Sequence, residues 1–455
     1  MTAVVEEAVQ EGVRVCCRVR PLGYGDGSDP QRKVFVADDD CKVHIEHGAS
    51  TMSFGFDQCF GEEATNAEVY HSLGAQLVAS AMDGVHGSIL CYGQTGGGKT
   101  YTMMGSDGIY SKGEDAGIVP RMFDDIFSEI ESSDRMSFSY QVRLSVIEIY
   151  QDELYDLIPP SADTNTNANA GSDCCDGSKS SQQERKGTRK RKGKIQIFDN
   201  GGSSGLSLVG AASVEVLNKA AALQIVDLGQ QRRRVAETNM NRQSSRGHCV
   251  VLVTIVKRNL SASTSKIGQL YAVDLAGSES VGKTNARQEQ IVEAGSINKS
   301  LLVLGRVIDV LTTNDEKGTA ARVPYRDSKL TRLIQNSLGG SARCALCLNI
   351  SPSNFNAIES LSTLRFGART SQIKNCPVRN EVQSIEQLKV QLQNYKAKVD
   401  QNMAEISKME AELASYAIFF RLIRRSGLVI DAALEEASLL SCERVDIRRP
   451  MQMGV

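Results

Sequence analysis

Ser88-Ile-Leu-Cys-Tyr92, followed at once by Gly93-Gln-Thr-Gly-Gly-Gly-Lys-Thr100, decides the fold of this chain. The first stretch is a short apolar run, the pattern of a buried strand. The second fits GxxxxGK[ST] at every position, and a helical stretch follows Tyr101. Strand, glycine-rich turn and helix in that order predict a phosphate-binding loop. Glycines let backbone amides wrap phosphates closely, and the positive end of the following helix favours their charge. In this reading Lys99 reaches the β- and γ-phosphates and the Thr100 hydroxyl ligates Mg²⁺. The plain alternative is a flexible glycine-rich turn, against which the complete motif after a strand argues. The motif predicts a nucleotide but not its use.

Two later segments bear on that use. Asn241-Arg-Gln-Ser-Ser-Arg-Gly-His248 is a polar run directly before the strand-like Val250–Val256, and Asp274-Leu-Ala-Gly-Ser-Glu279 directly follows the strand-like Leu270–Val273. An Asp at the end of an apolar strand suits a phosphate-loop site, where it can hold Mg²⁺ through water. Gly277 can offer its amide to a γ-phosphate, and Arg246 and Glu279 are opposite charges on two loops that could close over the nucleotide. Each segment alone also reads as a serine-rich turn or a helix cap.

The rest of the chain bounds the class. Its 455 residues suffice for about three ordinary domains, or one large one with extensions. Lys plus Arg total 52 against 54 Asp plus Glu, a formal charge of -2, so nothing global indicates a nucleic-acid binder. The 12 cysteines show no zinc-ribbon spacing, and with no signal-like start they predict a reduced, intracellular protein. No apolar run is long enough to span a membrane. Strand-like and helix-like stretches alternate, which predicts an α/β layered fold. Residues 161–194 are rich in Ser, Asn, Asp, Gly and Lys, end in a basic run, and predict a disordered insertion within a domain. Beyond Pro377, Ile385, Leu388, Leu392, Tyr395, Val399, Ile406, Met409, Leu413 and Tyr416 recur at alternating spacings of three and four, with Asn402 taking one seam position. That narrow stripe predicts a coiled coil, with a single amphipathic helix folded back on the main domain as the alternative.

With these residues in place the sequence resembles the kinesin motor domain. Cys17-Arg-Val-Arg-Pro21, Phe54-Gly-Phe-Asp57, Gly117-Ile-Val-Pro-Arg121, Val146-Ile-Glu-Ile-Tyr150 and Leu154-Tyr-Asp-Leu157 follow in the family order. The two polar segments resemble its switch I and switch II. Ile297-Asn-Lys-Ser-Leu301, Val323-Pro-Tyr-Arg-Asp-Ser-Lys-Leu-Thr-Arg332, Leu338-Gly-Gly340 and Leu361-Ser-Thr-Leu-Arg-Phe366 complete it. The resemblance implies a P-loop α/β fold, with a mainly parallel central sheet flanked by helices on both faces. It further implies an ATPase that moves along microtubules.

Site residues carried over by this resemblance are expectations. Arg20, Pro21 and Tyr101 pack around the adenine; Gly93, Gln94, Thr95, Gly96, Gly97, Gly98, Lys99 and Thr100 bind the phosphates. Thr100, Ser245 and, through water, Asp274 hold Mg²⁺. Gly277 senses the γ-phosphate, while Ser244, Arg246 and Glu279 close the site around the attacking water. Lys283, Arg287, Lys299, Arg306, Arg322, Arg326, Lys329 and Arg332 face the acidic filament. Two departures stand out: Gly247 replaces the serine of the family's SSRSH, predicting a looser switch I, and Gly295 lies where relatives often carry Lys. The expected organisation is an extension over residues 1–11, a motor domain over 12–370, a neck linker over 371–380, a coiled coil over 381–420 and a tail over 421–455. The partners implied are microtubules and a second copy of the chain, in the cytoplasm on the cytoskeleton. An N-terminal motor goes in this family with plus-end-directed movement. A non-motile, microtubule-binding ATPase acting on filament attachment or ends is the alternative reading.

Overall fold

Alternation along Gly87–Tyr92 sets up two cores at once: Ile89 and Cys91 point to one face of a sheet, Leu90 and Tyr92 to the other, and all four are buried. A computed structural model of the chain describes residues 10–23, 26, 31–37, 39–48, 50–159, 195–199, 206–239, 246–279, 288–317, 321–383 and 385–425. The 161–194 insertion and residues 426–455 of the tail lie outside them. Among the described residues the central sheet has ten strands. In chain order they are β1 (Arg14–Val19), β2 (Gln58–Phe60), β3 (Gly87–Tyr92), β4 (Phe138–Tyr150), β5 (Glu153–Asp156), β6 (Val214–Glu215), β7 (His248–Asn259), β8 (Thr264–Asp274), β9 (Arg343–Ile350) and β10 (Glu381–Gln383). Across the sheet the order is β6-β4-β7-β8-β3-β9-β1-β2, with β5 added to β4 and β10 to β8.

The sheet is mixed, which corrects the expectation of a mainly parallel one. Pairings β8-β3, β3-β9, β9-β1 and β1-β2 are parallel; β6-β4, β4-β7, β7-β8, β4-β5 and β8-β10 are antiparallel. The reason is loop length. Only residues 260–263 separate β7 from β8, too few for the crossover that a parallel neighbour requires. The Asn259 side chain accepts from the amides of Ser261 and Ala262 and tightens this hairpin.

Helices cover both faces as expected. On one lie α1 (Asn66–Leu73), α2 (Ala75–Met82), α3 (Lys99–Met104), α4 (Ile118–Ser132) and α5 (Lys219–Asn239), packed on Ile89, Val146 and Val251. On the other lie α6 (Gln288–Lys317), α7 (Lys329–Leu333) and α8 (Ala357–Thr370), which bury Leu304, Val307, Leu333 and Leu364 against Leu90, Val250 and Val273. Tyr92 and Phe366 stack with ring centroids 3.9 Å apart.

Residues 371–380 run along this body as an added edge. Lys374 and Asn375 pair antiparallel with Gly12 and Glu11. Val378 donates its amide to Ser341, and Asn380 exchanges backbone bonds with Gly84 and Ile267. The added strand continues as β10, so residues 381–383 belong to the first compact unit and not to the following helix, whose expected start is corrected. The second unit contains α9 (Ile385–Arg425), one unbroken helix that passes the expected boundary at 420. Leu392, Tyr395, Val399, Ile406, Met409, Leu413 and Tyr416 are all exposed along it in the single chain.

Candidate nucleotide-binding site

The parallel strands β3 and β8 end side by side, with Cys91 in register with Asp274, and the site opens beyond those ends. This is where open α/β sheets bind ligands. The loop between β3 and α3 can close only because Gly98 takes a φ of +100° at the helix start, a conformation side chains disfavour. Lys99 is buried, and its Nζ donates to the carbonyls of Gly93 and Gln94 at 2.9 Å each. Burial lowers its pKa, opposed by the nearby carboxylates of Asp274 and Glu279.

Thr100 and Asp274 meet directly: the Thr100 hydroxyl donates to Asp274 Oδ2 at 2.7 Å. The other carboxylate oxygen, Oδ1, is buried and has no hydrogen-bond partner among the described residues. A hydroxyl and an anionic carboxylate with a spare buried oxygen form a donor set for a hard cation, and the residues present fit Mg²⁺. Ser244 and Ser245 lie outside the described residues.

Switch II touches the phosphate loop directly. The Ser278 amide donates to the Gly93 carbonyl at 3.2 Å. Glu279 accepts from the Thr95 amide at 2.8 Å and from the Thr95 hydroxyl. A Cβ on Gly277 would overlap the Thr95 hydroxyl and both Glu279 carboxylate oxygens, so any larger residue would make these side chains shift. At the rim, Arg20 Nε donates to the Gly96 carbonyl at 2.7 Å, and its guanidinium bonds the Pro21 carbonyl and both oxygens of Asp26. Tyr101 is partly exposed beside them, with the Arg18 guanidinium 5.0 Å from its ring centroid. Arg20, Pro21 and Tyr101 thus gather at one edge of the loop.

Several working residues escaped sequence reasoning. Arg233, on α5, is 4% exposed, donates to the Gly247 carbonyl at 2.6 Å, and stands 3.4 Å from Glu148 and 3.9 Å from Asp274. It therefore holds the backbone carbonyl of Gly247 at the described end of switch I. A Cβ at Gly247 would lie 2.6 Å from Glu148 Oε1, so the glycine admits the carboxylate that faces Arg233. His248 is fully buried, and burial, with Arg233 and Lys99 nearby, lowers its pKa to about 3. Its ring is neutral: Nδ1 accepts from the Ala276 amide at 2.9 Å, so Nε2 carries the proton and donates to Ser300 Oγ at 2.7 Å. One imidazole thereby bonds the end of switch I, the backbone of switch II and α6. The available signal was the motif itself, whose His opens a strand; its partners lie 28 and 52 residues away.

Of the expected filament-facing residues, Lys283 and Arg287 lie outside the described ones. Lys299 and Arg306 share the exposed side of α6 with Leu302, which is 62% exposed. Arg322 and Arg326 are exposed, while Lys329 and Arg332 are half-buried. Asp152 ties the two segments together, 3.8 Å from Lys299 Nζ and accepting the Lys329 amide at 2.7 Å.

Comparison with known proteins agrees with this geometry. The sequence model of the kinesin motor domain matches residues 18–373. Kinesin-like protein KIN-1 of Arabidopsis thaliana is 39% identical over 377 residues, covering 82% of this chain and 74% of the relative. Kinesin-related protein 3 of Dictyostelium discoideum is 36% identical over 88% of this chain, and the kinesin heavy chain of Botryotinia fuckeliana is 36% identical over 89%. The match spans only 30% and 42% of those two relatives' lengths. A solved structure described as a fast kinesin, with implications for ATPase mechanism and interactions with microtubules, has a TM-score of 0.69 and 35% identity. That match covers 82% of this chain and 95% of the solved one.

Proposed function

The chain belongs to the kinesin motor-domain family, and on that premise we propose that it is a microtubule-stimulated ATPase that moves along microtubules. The observation that carries this reading is the bonded path from phosphate loop to α6. Thr95 holds Glu279 of switch II, and His248 bonds both Ala276 of switch II and Ser300 of α6. A change at the phosphates therefore has a short mechanical route to the basic side of α6. A motor needs such a route, because a ligand shifts a distant equilibrium only through contacts that differ between two states.

At the site, the ATP phosphates take over the Lys99 ammonium from the carbonyls of Gly93 and Gln94. Thr100, Asp274 and Ser245 would hold Mg²⁺, which neutralises charge on the phosphates when bound. Gly277 offers its amide to the γ-phosphate. Glu279 exchanges Thr95 for Arg246, and that pair, with Ser244, orders the attacking water and shields it from bulk solvent. Such catalysis works by positioning and electrostatics. Lys299, Arg306, Arg322 and Arg326 meet the acidic filament, with Lys283, Arg287, Lys329 and Arg332 in the adjoining segments. Residues 371–380 form a linker that docks and undocks with nucleotide, and the stripe on α9 forms a two-stranded coiled coil. With the linker leaving toward that helix, movement is toward the plus end.

The test is ATP turnover with and without microtubules, combined with gliding on polarity-marked filaments. Stimulated turnover with directed gliding supports the motor. Filaments that bind and never translocate point to a non-motile ATPase, and turnover indifferent to microtubules contradicts both.

A further inference from the structure

Asp83 sits at the C-terminal cap of α2, where the helix dipole disfavours an acid and no basic residue occupies the helix's own last turn. The carboxylate is nevertheless kept, with one cation on each oxygen. Lys266 Nζ on β8 bonds Oδ1 at 2.6 Å, and Arg379 Nη2 bonds Oδ2 at 2.5 Å. Although desolvation pushes the Asp83 pKa up, the hydrogen bond from Lys266 and the charges of both cations outweigh it and hold the carboxyl below its ordinary value. Lys266 belongs to the body of the sheet, whereas Arg379 belongs to the linker. Undocking therefore leaves Asp83 with Lys266 alone.

Most of the surrounding bonds between linker and body are main-chain, Asn380 with Gly84 and Ile267 and β10 with Thr264, Ser265 and Lys266. The buried side chains of Asn380, on the Gly84 carbonyl, and Asn375, on Ser337, Gly339 and Ala342, add to them. Main-chain pairing is nearly indifferent to sequence, and a slip by one residue would turn every side chain to the opposite face. A charged side chain adjacent to those bonds can fix the register. Arg379 is bridged to Val85 and stands next to Asn380.

We infer that Arg379 and Asp83 form an ionic clasp that selects the docked register of the linker and makes docking sensitive to salt. The inference rests on the reading above that residues 371–380 dock and undock. Arg379 acts as a positioning residue and touches no part of the nucleotide site. The pair is half-exposed, with side chains 55% and 45% accessible, so its contribution to the docking equilibrium is about two- to fivefold.

The experiment measures the docked fraction by spin-label distances in the full chain. Labels sit on unnatural residues in the linker and on α2, with ADP or a non-hydrolysable ATP analogue bound. The clasp predicts that Arg379→Ala and Asp83→Asn each lower the docked-to-undocked ratio in the analogue state by about two- to fivefold. The double variant should be no worse than either single one, and Arg379→Lys should recover most of the loss. Raising the salt from about 25 to about 300 mM should lower the ratio for the wild type and leave Arg379→Ala nearly unchanged. Normal docking in Arg379→Ala, or additive losses in the double variant, would overturn the clasp while leaving the linker reading intact. A wild-type linker whose docked fraction ignores nucleotide would overturn both.

Discussion

Two buried carboxylates near the phosphate loop do opposite work with the same chemistry. Asp274 keeps one oxygen for Thr100, and the other has no donor among the described residues, an arrangement that suits a cation site. Asp26 has both oxygens filled: Arg20 binds it in two places, and Gly23, Ser351 and Asn356 add further donors. Burial alone would raise the Asp26 pKa, but the bonds from Arg20 and Gly23 outweigh it and bring it down to about 2. A carboxyl lowered on folding stabilises the protein above its unfolded pKa, near 4, and loses that contribution as pH falls toward 2. The increment is about 2 kcal/mol. Urea midpoints followed from pH 5 to pH 2 should therefore fall more steeply for the wild type than for Asp26→Asn, whose curve starts lower and is flatter. Parallel curves would show that Asp26 contributes nothing to the acid response. Lys99 and Thr100 were legible in the sequence because loop chemistry fixes residue type at short spacing, and Asp274 because it ends an apolar strand. Asp26 was not, since its donors Ser351 and Asn356 come from 325 and 330 residues away.

Among the elements, α5 is tied to the sheet by charge as well as by apolar packing. Arg233 reaches Glu148 on β4, Asp274 at the end of β8 and the Gly247 carbonyl beside β7. Replacing Arg233 with Met would leave two carboxylates facing each other's neighbourhood in the interior without their cation. Breaking a buried network in this way costs about 3 to 5 kcal/mol. The expected outcome is a denaturant midpoint lowered to match, together with weakened Mg²⁺-dependent nucleotide binding; unchanged stability would show that Glu148 and Asp274 find other partners. Strand identity along these elements was readable from apolar runs. Their direction was not, because the apolar runs Val250–Val256 and Leu270–Val273 stop short of the strand ends and hide how short the link between Asn259 and Thr264 is. The role of Arg233 was not readable, because a basic residue inside the polar run Gln230-Gln-Arg-Arg-Arg234 looks like any solvated helix charge.

At the scale of the molecule the chain divides into two compact units, one ending at Gln383 and one beginning at Ser384. The described residues of the stripe on α9 are exposed, and we propose that their alternating three-and-four spacing pairs with a second copy. Sedimentation should find the full chain dimeric and residues 1–383 monomeric, with equal ATP turnover per site in the absence of microtubules; a monomeric full chain would remove the coiled coil from the account. The central claim is that phosphate occupancy reaches the filament-facing side through Glu279, His248 and α6. It is tested most directly by microtubule affinity of the purified chain in the nucleotide-free, ADP and non-hydrolysable-analogue states. Coupling through these contacts predicts that at least two of the three affinities differ by about fivefold or more, and that His248→Ala narrows the gap. Equal affinities in all three states would contradict it.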